Sequence, residues 1–211
     1  MIIIACEESQ RVCKSFRDKG FCAYSCDIIP TSGDNPEWHI INDIRNVLVD
    51  DVLRFTDLII AFPPCTYLTV AGCRYWKDRE KEQKDAFDFF MWFVKIHEKY
   101  HVPMAIENPV GYVNSHYRKP DQIINPYQFG DPFAKRTCLW LFDLPKLKPT
   151  NILDRPKNGW QNQSFDSEGK NRGFTGDFRD PCLRSKTFIG IADAMAIQWG
   201  NYIKKLKGRY V

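Results

Sequence analysis

The apolar positions open on Ile2–Ala5, a short branched run with no polar residue, the pattern of a strand buried on both faces. A polar turn follows, then residues 9–19, where Val12 and Phe16 fall at helical spacing and Gly20 offers a stop. Residues 21–26 predict a second strand that ends on Asp27. Residues 40–44 and 58–62 are further apolar runs, each beside an acidic or turn-forming residue. The clearest helix spans 78–100. Its first turns are charged, and Ala86, Phe89, Phe90, Phe93, Val94 and His97 then make an apolar stripe that reads as core packing. Residues 102–106 return as a strand and stop at Glu107-Asn108-Pro109. Strands alternating with helices in this way predict a doubly wound, Rossmann-like, mostly parallel α/β sheet.

The second half changes character. From Gly111 to Cys182 the chain is rich in Pro, Gly, Asn and Asp, with one firm strand at Thr137–Phe142. Residues 158–180 read as a long polar loop that interleaves Lys170, Arg172 and Arg179 with Phe165, Phe174 and Phe178. Such a loop either lies beside a nucleobase or is simply solvated. Order returns at 187–206, where Ile189, Ile191, Ala192, Met195, Ala196 and Trp199 share a helical face. The cations from Lys204 to Arg209 suit the negative end of that helix.

Composition bounds the picture without redirecting it. A chain of 211 residues is expected to form one domain. Its 44% hydrophobic and 27% charged content excludes disordered and fibrous classes. A net charge of +4 permits a polyanionic partner without demanding one. The opening residues lack a basic leader, and no apolar run approaches the ~20 residues of a bilayer span, so a cytoplasmic protein without membrane contact is expected. Eight cysteines and four histidines are scattered with no Cys-x-x-Cys pair, so reduced thiols are expected rather than a metal site or a disulfide framework.

Open α/β sheets bind ligands beyond the carboxyl ends of their strands. Cys6-Glu7-Glu8-Ser9-Gln10 lies there after the first strand, Asp27 after the second, Asp43 near the third, Pro63-Pro64-Cys65 after the fourth and Glu107-Asn108-Pro109 after the fifth. Carboxylates at the first strand ends suit the hydroxyls of a ribose and the amino group of an adenine. Each of Asp27 and Asp43, taken singly, also reads as a cap or turn former. The two prolines before Cys65 force the chain out of its strand and present the thiol in a rigid turn. They do not lower its pKa, so a nucleophilic Cys65 needs a positive or hydrogen-bonding neighbour, and an isolated Pro-Pro-Cys also reads as a buried structural thiol. Cys65 and Glu107 together suit one reaction: a thiolate adds to carbon-6 of a pyrimidine while a carboxylic acid protonates ring nitrogen 3, which makes carbon-5 nucleophilic.

Phe62-Pro63-Pro64-Cys65 and Ile106-Glu107-Asn108 resemble the catalytic motifs of the cytosine-5 DNA methyltransferases, and a fainter similarity extends over most of the chain. The chain looks like the compact bacteriophage and mobile-element versions of that family. The resemblance implies a methyltransferase fold with a catalytic domain at 1–145 and 183–211 and a reduced recognition segment or loop at 146–182. It implies Cys65 as nucleophile, Glu107 as acid and Arg136 as a clamp on the base or its phosphate. S-adenosyl-L-methionine would lie on Ala5, Cys6, Glu7, Glu8, Ser9, Asp27, Ile28, Asp43, Ile44 and Pro63. DNA, the implied partner, would meet Pro64, Thr66, Asn108, Pro109, Lys135, Thr137, Arg184 and Ser185.

The sequence departs from that family in four places. The glycine-rich Phe-x-Gly-x-Gly loop is replaced by Cys6-Glu7-Glu8-Ser9-Gln10, so the methionine end of the donor must be held differently. Pro109 stands where a valine is usual. The basic motif is reduced to Lys135-Arg136-Thr137, and 146–180 is a small reading surface. Two other readings stay open: an enzyme modifying carbon-5 of a pyrimidine nucleotide, and a catalytically silent DNA-binding remnant of the fold.

Overall fold

The computed structural model describes residues 1–70, 78–157, 159–165, 171–173, 180 and 184–208. Strands β1 (Ile2–Ala5), β2 (Ala23–Asp27), β3 (His39–Ile41), β4 (Leu58–Ala61), β5 (Met104–Pro109), β6 (Gln122–Ile124) and β7 (Thr137–Phe142) form a seven-stranded sheet in the order β3-β2-β1-β4-β5-β7-β6. The first five run parallel, and β7 enters antiparallel between β5 and β6. A separate antiparallel pair joins β8 (Ser164–Phe165) and β9 (Asn171–Gly173). The helices are α1 (Arg11–Asp18), α2 (Ile44–Val47), α3 (Asp50–Leu53), α4 (Glu80–Tyr100), α5 (Tyr112–His116) and α6 (Ile189–Lys207). This is the doubly wound α/β class, and its order reverses between β1 and β4, where such sheets open a ligand crevice.

Both sheet faces are covered, which explains the unbroken apolar strands. On one side Ile2, Ile4 and Ile60 pack with Val12 and Phe16 of α1 and with Met195 and Trp199 of α6. On the other, Ile3, Ala5 and Ile59 pack with Phe90, Phe93 and Val94 of α4 and with Trp140 of β7. Trp199 and Trp140 each place their indole N–H on a carbonyl, of Pro145 and Arg118 respectively, both at 2.9 Å. No helix among the described residues is long and apolar enough to cross a membrane.

Three elements differ from the sequence pattern. The 40–44 run does not remain a strand. It ends at Ile41, and Ile44 starts α2 because the Asp43 carboxylate accepts the Arg45 backbone N–H at 2.9 Å. The fifth strand does not stop before Glu107. It runs on to Pro109 because β7 supplies partners, with Glu107 opposite Leu139 and Asn108 opposite Cys138. The 158–180 loop contains β8 and β9, which are too short for an alternation to announce them. Cys73, Lys170, Phe174, Phe178, Arg179, Cys182 and Arg209 lie outside the described residues. Cys6, Cys13, Cys22, Cys26, Cys65 and Cys138 are free thiols.

Candidate active site

The turn after β1 takes its shape without glycine. Cys6 (φ 59°) and Gln10 (φ 57°) adopt the left-handed backbone that a glycine would take freely. Gln10 is held there by its side chain, which donates to the Asn35 carbonyl at 2.7 Å and accepts from the Asn35 N–H at 3.2 Å. Glu7 turns inward. Its carboxylate accepts the N–H groups of Val12 (2.6 Å) and Cys13 (3.1 Å) at the start of α1, so it serves that helix rather than lining a ligand cavity. Burial pushes its pKa up to about 7 against the pull of those two hydrogen bonds. Glu8 accepts from the Ser32 N–H at 3.1 Å and pairs with Lys186 at 3.7 Å, tying the 31–35 loop over the turn. Ser9 is half-buried beside them, and Ala5 is fully buried in β1.

A cavity of ≈ 480 Å³ opens between this turn and α4. Cys6, Asp27, Ile28, Asp43 and Ile44 line it, as the sequence suggests, and Pro64 joins them from the loop after β4. The cavity also takes Cys26, Asn42, Arg45 and Tyr67, with Glu82, Asp85, Ala86 and Phe89 from α4. Sequence reasoning missed these, although the spacing of 82, 85, 86 and 89 places them on one helical face. Asp27, Asp43, Glu82 and Asp85 face a single cation, Arg45, so the wall is net negative. Arg45 pairs with Asp43 and lowers its pKa, so Asp43 is both a helix cap and a cavity residue.

Beyond the Pro64 and Tyr67 wall, a short loop carries Cys65. The Phe62 N–H continues the ladder to the Ala5 carbonyl at 2.9 Å, and Leu68 and Thr69 donate to the Cys65 carbonyl at 2.9 and 3.0 Å. The loop is then stitched to the end of β5. Asn108 donates from Nδ2 to the Pro63 carbonyl (3.1 Å), Val70 N–H to the Val110 carbonyl (3.3 Å), and Tyr112 N–H to the Leu68 carbonyl (2.7 Å). Gly111 permits this approach, since a Cβ there would lie 1.9 Å from the Leu68 carbonyl oxygen. Thr66 and Pro64 are exposed at the rim, and Pro63 and Asn108 are buried beneath it.

The Cys65 thiol senses the Glu107 carboxyl group. Burial and the Glu107 charge raise the Cys65 pKa, and Lys135 opposes them. Burial likewise raises Glu107, again against Lys135. Among the described residues, Lys135 is the cation whose charge favours the Cys65 thiolate. Arg136 is exposed, and its charge reaches Cys138 instead. Consecutive side chains entering a strand diverge, which the one-letter sequence does not resolve at the head of β7. The Lys135 ammonium donates to the Arg184 carbonyl at 2.6 Å, and buried Thr137 donates back to the Lys135 carbonyl at 3.3 Å. One residue earlier, the Asn162 side chain binds both backbone groups of Ala134, at 3.0 and 2.7 Å. Pro109 ends β5 opposite Thr137, and exposed Ser185 follows Arg184 on the chain.

No protein-family model matches the chain, and no curated protein sequence matches it. Solved structures that match include a Spodoptera frugiperda DNMT2 mutant, at TM-score 0.45 and 15% identity, over 74% of this chain and 55% of that one. The chain thus spans about half the length of that protein. What the chain itself displays is a doubly wound α/β sheet that gathers a thiol, a carboxyl group, an ammonium group and an acidic cavity along one edge.

Proposed function

We propose that this protein transfers a methyl group from S-adenosyl-L-methionine to carbon-5 of cytosine in DNA. The observation that carries the reading is that Cys65 and half-buried Glu107 stand at adjacent strand ends, where the Glu107 charge reaches the thiol, beside the acidic cavity. Their motifs resemble those of the cytosine-5 DNA methyltransferases.

The cavity suits the donor by size and charge. Its ≈ 480 Å³ falls in the usual ligand range of ~300–1,000 Å³. Its carboxylates would accept hydrogen bonds from ribose hydroxyls at Asp27 and from an adenine amino group at Asp43, with Ile28 and Phe89 as apolar walls. The same carboxylates repel phosphates, so a nucleoside sulfonium fits where a nucleotide does not. When bound, S-adenosylmethionine supplies an electrophilic methyl group.

The chain's own residues supply the rest. A base stacked in a duplex must be extruded before Cys65 reaches it. The Cys65 thiolate then forms a bond to carbon-6 as Glu107 gives its proton to nitrogen 3, and the displaced π electrons make carbon-5 the nucleophile. After methylation, carbon-5 gives its proton to water, the sulfur leaves with the electrons of its bond to carbon-6, and nitrogen 3 returns its proton to Glu107, restoring the ring. Exposed Arg136 would meet a phosphate, which would make binding depend on salt.

DNA carrying 5-fluorocytosine tests this directly, because a fluorine cannot leave carbon-5 as a proton. Wild-type protein with the donor is expected to form a covalent adduct mapping to Cys65, and Cys65→Ala to form none. Methyl transfer without any adduct would refute the mechanism. Transfer to free dCMP in place of DNA would change the substrate.

A further inference from the structure

The cavity has two distinguishable ends, set by the face of α4 that carries Glu82, Asp85, Ala86 and Phe89. At one end the Arg45 guanidinium lies 5.6 Å over the Phe89 ring and pairs with Asp43 at 2.5 Å. The other end is two helical turns away, ~10 Å. There the Gln83 side chain donates to the Tyr67 carbonyl at 3.1 Å, which sets Glu82 beside the loop of Pro64 and Tyr67 that carries Cys65. A nucleoside sulfonium with its base at Asp43 and Phe89 therefore has its reactive sulfur, and the root of its amino-acid tail, at the Glu82 end. The turn after β1 commits its polar groups to the fold. Glu7 takes the Val12 and Cys13 N–H groups, Gln10 is tied to Asn35, and the Thr31 hydroxyl and Lys186 latch the 31–35 loop over Glu8. Along α4 the situation is the reverse. Exposed Glu82 and Asp85 line the cavity with no hydrogen bond or ion pair among the described residues, and Lys84 between them pairs with Asp88.

We propose that this cavity selects its donor by the ammonium group of the tail, which Glu82 and Asp85 accept, and makes no use of the tail's carboxylate. This rests on the reading of the cavity as a donor site. An ammonium has three hydrogen-bond donors and no acceptor, so two open carboxylates suit it. A tail carboxylate in the same place meets Asp27, Asp43, Glu82 and Asp85, while Arg45, the cation among the lining residues, is already paired. Like charges within a few ångströms repel. The ligand class that follows is an adenosyl sulfonium or thioether with an aminoalkyl tail, and its carboxylate is dispensable.

Calorimetric titration of the full chain tests this with four probes: S-adenosylmethionine, its decarboxylated form, S-adenosylhomocysteine and 5′-methylthioadenosine, which has no tail. The decarboxylated sulfonium is expected to bind at least as tightly as the parent, and 5′-methylthioadenosine about five- to tenfold more weakly than S-adenosylhomocysteine, the worth of a charge-assisted hydrogen bond. The double variant Glu82→Gln, Asp85→Asn should erase the advantage of both tailed ligands and leave 5′-methylthioadenosine unchanged, which also shows that the cavity is intact. Glu80→Gln, on the same helix but away from the cavity wall, should change nothing. Weaker binding of the decarboxylated form in wild type overturns the proposal, because the carboxylate is then recognised. Unchanged affinities in the double variant, or an equal loss in Glu80→Gln, overturn it as well. The 5-fluorocytosine trap keeps the two ideas apart. A Cys65 adduct together with the wrong order of ligands leaves methyl transfer standing and removes the ammonium site. The expected order with no adduct keeps the ammonium site and removes the methyl transfer, and no heat with any probe removes both.

Discussion

At the scale of single residues, Glu7 shows how one side chain is claimed by the fold although it lies in the turn beside the cavity. Its carboxylate caps α1 from inside the protein, with a pKa raised from 4.5 to about 7 by burial. A raised carboxyl pKa means that the folded state holds the proton more tightly than the unfolded chain. The contribution of Glu7 to stability is therefore greatest below about pH 4.5 and falls as the pH rises to about 7, by ~3 kcal/mol in all. Glu7→Gln keeps an acceptor and carries no charge. It should flatten that slope and exceed wild type at pH 8 by up to ~3 kcal/mol in urea unfolding. Parallel stability curves for the two proteins between pH 5 and 8 would remove the buried charge from the explanation. Cys65 and Glu107 were legible as chemistry because of their neighbours in sequence. That Arg136 is exposed while Lys135 is half-buried was not, since adjacent letters do not say which side chain turns inward.

At the scale of elements, the decisive feature is the seam between the loop after β4 and the end of β5. It consists of three hydrogen bonds, from Asn108, Val70 and Tyr112, closed around a glycine with no room for a side chain. A methyl group at position 111 must push the Leu68 backbone, and with it the turn that carries Cys65. Gly111→Ala is expected to lower stability by roughly 1–3 kcal/mol, the usual range for overpacking. A displacement of the thiol by an ångström costs about a hundredfold in rate. Methyl transfer should thus fall far more than donor affinity, since the cavity lies mostly on β1–β3 and α4. Equal losses in both would place the effect in global unfolding. Pairing with β7, rather than the seam, explains why β5 outruns its apolar letters: it stabilises a strand through Glu107-Asn108-Pro109 that its own composition would end.

At the scale of the molecule, the sheet separates the two chemistries and sets them side by side. The cavity fills the crevice at the reversal of strand order, and the Cys65 loop forms its far wall. A ligand that binds only the folded state stabilises it by about 2.7 kcal/mol at a hundred times its dissociation constant. For a chain of this size that is a rise in melting temperature of roughly 5–10 °C. S-adenosylhomocysteine should produce such a rise, and ATP should produce none, because its phosphates meet Asp27, Asp43, Glu82 and Asp85. Asp43→Asn should weaken the shift for the first ligand, and a comparable shift with ATP would contradict the electrostatic account of the cavity. Local pattern alone determined the fold class, the long helices and the thiol–carboxyl pair, because apolar periodicity and proline-bounded motifs are written in consecutive residues. Tertiary structure decided which carboxylate is kept by a helix and which face of α4 closes the cavity. Those outcomes depend on burial and on charges far apart in the chain, and both exist only once the sheet has brought its strands together.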